Sequence, residues 1–145
     1  MLIEPAHATD HTRLTEIWEA AVRASHHFLS EADIQLFRPL VQTGYLPAAP
    51  WLAVARDAYG QPLGFVGVEA DKVEMLFVDP ACHGQGIGRA LLLHAMAECG
   101  AQRVDVNEQN PGALAFYARM GFVVEGRSER DGLGKPFPLL HLRLA

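Results

Sequence analysis

Three glycines at alternate positions, Gly84, Gly86 and Gly88, carry the clearest chemical signal in the chain. They follow an apolar run, Val73 to Val78, that stops at Asp79-Pro80. After Gly88 the chain runs to Cys99 with no proline and no further glycine. Strand, glycine loop and helix in that order make a phosphate cradle. The first N–H groups of a helix have no partner inside it, and the helix dipole is positive at that end. Glycine lets the loop turn and lets an anion approach the backbone closely.

Three phosphate ligands compete for such a cradle. A P-loop needs Gly-Lys followed by Ser or Thr, but Gly88 precedes Arg89 and Ala90, so that reading fails. A dinucleotide fingerprint needs G-x-G-x-x-G. Gly84 and Gly86 fit its first two positions, and Asp105 lies at the distance of a ribose-binding acid. Arg89 occupies the third position, however, where close helix–sheet packing asks for Gly or Ala. Three consecutive strands also precede the loop, where a dinucleotide domain would start with it.

Those strands come from a change of hydrophobic period along the chain. Leu2 to Glu4 reads as a first strand, ended by Pro5. Leu14, Ile17, Trp18, Ala21 and Val22 recur at helical spacing and predict a helix over about 10–24, with Thr9 or Asp10 as N-cap. Ser30 and Asp33 make a capping box for a second helix, which Pro39 must kink or break and which Gly44 ends. Trp51 to Arg56, Leu63 to Glu69 and Val73 to Val78 then read as an antiparallel meander. The helix after Gly86 presents Gly88, Leu91, Leu92, Ala95, Met96 and Cys99 as its stripe, and Gly100 ends it. Arg103 to Asn107 is a strand placed to return parallel to 73–78, because a helix joins them. Asn110 caps a last helix with Pro111 at its first position, and Gly121 ends it. Phe122 to Gly126 and Leu139 to Leu144 close the sheet. The fold class is α/β, more narrowly an α+β mixed sheet, in one domain spanning 1–145.

Composition bounds the partners. At 145 residues there is room for one domain with a real core. Half the residues are hydrophobic and the net charge is −5, with the basic residues scattered, which argues against a nucleic-acid groove. No apolar run reaches the ~18 residues of a membrane helix, and Met1-Leu2-Ile3-Glu4 has no signal-peptide character, so the expected location is cytoplasmic. Cys82 and Cys99 form no C-x-x-C, and the histidines are dispersed apart from His26-His27, so no metal is expected. Trp18 and Trp51 read as core.

The third ligand fits more of the chain. His83-Gly84-Gln85-Gly86-Ile87-Gly88 resembles the central motif of the GNAT N-acetyltransferases, which bind acetyl-coenzyme A; His83 stands where that family has Arg or Gln. Asn110-Pro111-Gly112-Ala113-Leu114-Ala115-Phe116-Tyr117-Ala118-Arg119-Met120-Gly121-Phe122 resembles the family's N-x-x-A-x-x-F-Y-x-x-x-G-F segment, in the expected order and separation. Ser25-His26-His27-Phe28-Leu29, Val106-Asn107-Glu108-Gln109-Asn110 and Gly134-Lys135-Pro136-Phe137-Pro138 are similar to the YjaB-type bacterial branch. The resemblance covers nearly the whole chain.

It implies a GNAT fold, a mostly antiparallel sheet with a splayed parallel pair and helices on both faces. The arm of coenzyme A would lie between strands 73–78 and 103–107, on the backbone of Leu76, Phe77 and Val78. The resemblance extends the cofactor set through Arg89 to Asn107, Asn110, Ala113, Phe116 and Tyr117. Tyr117 becomes the general acid at the sulfur, since an ordinary phenol, pKa about 10, is protonated at neutral pH. The competing reading is a core tyrosine on the stripe of Ala113, Phe116 and Met120. Three groups compete as general base: Glu74, Glu108 and His26. Glu74 alternates against Val73 and Met75 and is taken to face away from Met75 and Phe77. His26 and Phe28 fall in the link that walls the family's acceptor pocket. The implied activity is acetyl transfer to a primary amine, on a protein lysine or a small molecule, by a monomer or homodimer. The alternative, suggested by His83, is a coenzyme A-binding sensor with little catalysis.

Overall fold

The computed structural model describes all residues, 1–145. Seven strands form one sheet in the order β1-β2-β3-β4-β5-β7-β6. Strands β1 (Leu2–Pro5), β2 (Trp51–Arg56), β3 (Pro62–Glu69) and β4 (Lys72–Val78) are antiparallel neighbours in chain order. Strand β5 (Arg103–Asn107) is parallel to β4. Strand β7 (Leu139–Leu144) inserts between β5 and β6 (Phe122–Ser128), antiparallel to both.

Helices occupy both faces. On one, α4 (Ile87–Cys99) and α5 (Pro111–Arg119) bury Leu91, Leu92, Ala95 and Tyr117 against Val66, Val104, Val106 and Leu142. On the other, α1 (His11–Ser25) and α2 (Glu31–Leu40) bury Leu14, Ile17, Trp18 and Ile34 against Val54, Phe65 and Met75. That second cluster contains no residue of β5, β6 or β7. The sheet face around those three strands is therefore not roofed by α1 and α2. No helix is long and apolar enough to cross a membrane.

Local signals explain most boundaries. The capping box of α2 forms as written: Asp33 N–H donates to Ser30 Oγ and Ser30 N–H to the Asp33 carboxylate. Gly100 lies at positive φ directly after α4, and Gly121 at positive φ one residue beyond the Met120 cap of α5. Two expectations fail. Asp10 precedes α1 but does not cap it; its carboxylate pairs with buried Arg56 and accepts from His7 N–H. Gly44 does not end the second helical segment. Pro39 cannot donate a hydrogen bond, and the chain absorbs it by widening to a π turn at Val41–Tyr45 before α3 (Leu46–Ala48).

Two features of β4 set up the site. First, β4 pairs with β5 only at Lys72–Arg103 and Val73–Val104, and beyond them the strands part. The closed end is clamped by Asp71: its carbonyl accepts from Gln102 and Arg103 N–H at 2.8 and 3.1 Å, and its carboxylate holds the Arg103 guanidinium. Second, the β3–β4 register slips between Gly67–Met75 and Val68–Val73, so Glu74 is an extra, bulged residue. Val73 consequently packs in the α4–α5 cluster and Met75 in the α1–α2 cluster. The simple alternation used to place Glu74 against both neighbours is thus wrong, because the bulge reverses the phase of the strand at that point.

Gly64 lets α4 approach the β3–β4 pair. A Cβ there would sit 2.8 Å from the Phe77 carbonyl oxygen and 3.3 Å from Leu91 Cδ1. Gly64→Ala should therefore destabilise the fold by about 1–3 kcal/mol through overpacking, read by urea denaturation. Unchanged stability would mean that the β3–α4 spacing is not fixed by this contact.

Candidate active site

The glycine loop has the form its sequence implies. Gly84 and Gly86 adopt φ of +82° and +78°, and nothing lies within 4 Å of a Cβ built at either, so the backbone conformation and not space requires glycine. Gly86 caps α4 without any side-chain hydrogen bond. None of the backbone N–H groups of Gly84, Gln85, Gly86, Ile87, Gly88 and Arg89 donates to another backbone group. The residues around them are exposed except Ile87, which is buried, and Gly88, which is half-buried. A Cβ on Gly88 would meet Val78 Cγ2 at 3.6 Å and the Phe116 ring at 3.7 Å, so the first turn of α4 rests on the end of β4 and on α5. A row of free donors at a helix N-terminus can hold a diphosphate. Exposed Arg89 has no ion-pair partner and is free to add its charge. His83 is exposed, and its N–H is already bonded to the Pro80 carbonyl, so the free donors begin at Gly84.

The opening between β4 and β5 continues from this loop. Leu76, Phe77 and Val78 are half-buried, with Leu76 and Val78 toward α4 and α5 and Phe77 toward α1. Past Val73 the β4 edge has no strand partner on the β5 side. Unpaired strand backbone wants amide partners, and a ligand with amides along an extended arm supplies them. Asn107 ends β5, and its carbonyl accepts from Asn110 N–H. Asn110 is 8% exposed and its Oδ1 accepts from Ala113 N–H, so this oxygen caps α5 while its amide nitrogen has no protein partner. Ala113 and Phe116 line the same side, half-buried against the α4–α5 cluster.

Tyr117 unites the two readings of its sequence position. Its ring is in the core, edge-on to Phe116 and Phe122 at centroid distances of 5.1 and 5.5 Å. Its hydroxyl has no hydrogen bond within the protein, yet no buried polar side-chain atom lacks a partner, so the hydroxyl reaches an opening. Burial raises the phenol pKa well above its ordinary value. The group therefore stays protonated and can donate to a leaving thiolate.

A second group of side chains gathers around the link between α1 and α2. His26 packs on Phe28 at 5.4 Å, and Phe28 on Phe137 at 5.3 Å, which joins this link to the segment between β6 and β7. Nothing in the sequence pattern by itself gives Phe137 a place; its partner lies more than a hundred residues away. His26 Nδ1 is 2.8 Å from Ser25 Oγ, whose hydroxyl donates to the Ala21 carbonyl. Nδ1 must then carry the proton and Nε2 the lone pair. Burial, helped by neighbouring His27, lowers the His26 pKa to about 4. Glu108, expected near the substrate, is instead engaged: its carboxylate is bidentate to Arg127 at 2.9 and 3.0 Å, and that partner lowers its pKa. This makes it a poor base. Glu74 is exposed on the bulge and forms no ion pair. No group of three or more His, Cys, Asp or Glu is placed to hold a metal.

Sequence and structure comparison finds relatives over most of the chain. The family model of the acetyltransferase (GNAT) domain matches residues 48–124. Over 131 residues the chain is 45% identical to the peptidyl-lysine N-acetyltransferase YjaB of Salmonella typhimurium, covering 90% of this chain and 88% of that protein. The solution structure of apo YjaB from Escherichia coli superposes with a TM-score of 0.90 at 40% identity, over 100% of this chain and 99% of that one. The PaiA N-acetyltransferase of Thermoplasma acidophilum, solved in complex with coenzyme A, shares the fold at a TM-score of 0.76 and 22% identity, over 99% and 98% of the two chains.

Two outcomes test the site. Gly86→Ala should raise the dissociation constant for coenzyme A about tenfold while costing about 1–2 kcal/mol of stability, because an L residue is strained at φ +78°. Calorimetric titration reads the first and denaturation the second; full affinity would remove the loop from the binding site. His26 provides a pH test. Its folded pKa of about 4 lies below the unfolded value of 6.5, so between those values only the unfolded chain takes up the proton. The contribution of His26 is intact above pH 6.5 and is lost as pH falls through 4. The stability of the wild type relative to His26→Gln should drop by about 2–3 kcal/mol across that window.

Proposed function

As the chain belongs to the GNAT family of N-acetyltransferases, we propose that it moves an acetyl group from acetyl-coenzyme A to the side-chain amine of a protein lysine. The 45% identity to a peptidyl-lysine N-acetyltransferase across nine-tenths of the chain carries this reading. The free N–H row from Gly84 to Arg89 supports diphosphate binding there, with the arm of the cosubstrate along Leu76, Phe77 and Val78 and reaching Asn107, Asn110, Ala113 and Phe116. The aromatic wall of His26, Phe28 and Phe137 suits the four-carbon stem of a lysine, while its ammonium end passes to the opening. Neutral His26 adds no charge that would repel that ammonium.

In this reading the amine attacks the thioester carbonyl directly. An N–H of the β4 edge near Phe77 or Val78 stabilises the developing oxyanion. Tyr117 gives its hydroxyl proton to the departing sulfur, and the buried ring fixes where that proton is delivered.

Tyr117→Phe isolates this role, because the hydroxyl has no protein partner to lose. Turnover on a lysine peptide should fall about 10²-fold, with coenzyme A affinity and thermal stability nearly unchanged. Undiminished turnover would leave Tyr117 a core residue only. A panel of lysine peptides and free polyamines tests the acceptor class, and preference for a free amine would overturn the protein-lysine reading.

A further inference from the structure

Four polar side chains stand side by side across β4, β5, β7 and β6: Lys72, Asp105, His141 and Ser128. His141 Nδ1 lies 2.6 Å from Asp105 Oδ1, and its Nε2 lies 2.6 Å from Ser128 Oγ. Lys72 Nζ is 2.6 Å from Asp105 Oδ2. Asp105 and His141 are direct cross-strand partners, and Gly126 is opposite His141 on the other side. A Cβ on Gly126 would come within 3.5 Å of His141 Cδ2, so the imidazole lies over the residue that has no side chain. Burial by itself would raise the Asp105 pKa, but hydrogen bonds from Lys72 and His141 outweigh it and hold the carboxylate below its ordinary range. An ionised Asp105 only accepts, so Nδ1 carries a proton, and in the neutral ring Nε2 then presents its lone pair to the Ser128 hydroxyl. Orienting acid, imidazole and hydroxyl are aligned as in an activated proton-transfer chain.

Position gives the chain its task. Val104, Val106 and Leu142 pack with Tyr117 on one face of the sheet, and side chains alternate along a strand, so Asp105 and His141 lie on the other face. Tyr117 and this imidazole thus lie on opposite faces of the sheet, and Asp105 on β5 stands between His141 and the β4–β5 opening. Ser128 ends β6, and the segment it begins carries Phe137 onto Phe28 before rejoining the sheet at Leu139. The outer end of the chain of groups therefore stands at the root of the acceptor wall. Glu108 is engaged by Arg127 and Glu74 sits exposed on the bulge. The structure assigns the proton-accepting role to His141, with Ser128 passing the proton and Asp105 positioning the ring.

This rests on the N-acetyltransferase reading. The substrate ammonium loses one proton to Ser128 Oγ as the Ser128 proton moves to His141 Nε2. The free amine forms the C–N bond and the C–S bond breaks. The sulfur takes the Tyr117 proton, and the remaining N–H⁺ proton returns to Tyr117 through water. His141 then releases its proton to solvent. Arg103 and Arg143, one step along the same face, are paired with Asp71 and Glu125.

The test uses lysine-peptide acetylation with coenzyme A affinity measured in parallel. His141→Ala should lower kcat about 10²-fold without weakening coenzyme A, and added imidazoles should restore it in order of their basicity. Asp105→Asn should lower kcat about tenfold and leave the ring no longer fixed as the Nδ1–H tautomer in nitrogen-15 spectra, because the acceptor-only carboxylate that selects it is gone. Ser128→Ala should cost less than about tenfold, since water can replace a hydroxyl relay. Nitrogen-15 spectra of the unliganded wild type should show Nδ1 protonated and Nε2 bare, a readout independent of turnover and of variant folding. Unchanged kcat in His141→Ala, full activity in His141→Gln, or the opposite tautomer would overturn the proposal. So would an acetyl group trapped on Ser128, which would make that hydroxyl a nucleophile. Wild type that binds coenzyme A but acetylates no amine would bring down the transfer reading itself, and is distinguishable because every variant would be equally silent.

Discussion

Two parallel strands that share only two paired residues leave backbone groups along both facing edges without a strand partner. Buried or half-buried backbone must find a hydrogen-bond partner, so the β4–β5 separation defines a slot for something peptide-like. The rest of the molecule keeps that slot at a fixed width. Asp71 clamps its closed end through three kinds of contact to Gln102 and Arg103, and the Lys72–Asp105 pair bridges the strands just beyond. The bulge at Glu74 turns β4 where pairing to β5 stops. Packing of α4 and α5 holds both strands on one face, while α1 and α2 hold β4 alone on the other.

The two faces then divide the chemistry. On the α4–α5 face, apolar burial keeps the Tyr117 phenol protonated. On the other face, burial keeps the His26 imidazole neutral. In both cases the protein uses the same physical lever, the cost of placing charge in an apolar setting. It yields a protonated phenol on one face and an uncharged imidazole on the other. The α1–α2 cluster draws no residue from β5, β7 or β6, and the polar row Asp105–His141–Ser128 on that face stays half-buried.

Much of this was legible in the sequence, and what was not has identifiable causes. Segments with sustained periodicity announced themselves: Leu91, Leu92 and Ala95 on α4 and the alternating meander strands lie in the core as their spacing implies. Short-range signals also read true, as at the Ser30–Asp33 box and the Asn110 cap. The Glu74 bulge was hidden because Val-Glu-Met-Leu-Phe-Val is apolar on both sides of the glutamate, so no break in alternation marks the inserted residue. The π turn after Pro39 was hidden because a proline signals a lost hydrogen bond without saying whether the helix ends or widens. Asp105, His141 and Ser128 come from three strands brought together only by the insertion of β7 between β5 and β6. Their distances in sequence carry no trace of their contact. The Glu108–Arg127 pair escaped for the same reason.

His83 can be placed by the same logic of which groups are free. The family resemblance makes it a departure at a position that usually carries Arg or Gln, and that departure prompted the idea of a non-catalytic binding module. Its N–H is held by the Pro80 carbonyl and its side chain is exposed, so the row of free donors starts one residue later, at Gly84. Backbone donors fixed by two left-handed glycines do not depend on the identity of the residue before them. Exposed Arg89, in the first turn of α4, supplies a cation close to the same donors. Charge at a flexible, solvated side chain is screened and contributes less to holding an anion than fixed N–H groups aligned with a helix dipole. The change at His83 therefore falls where the cradle depends least on side-chain chemistry, and it gives no physical reason to set this chain apart from its acetyltransferase relatives.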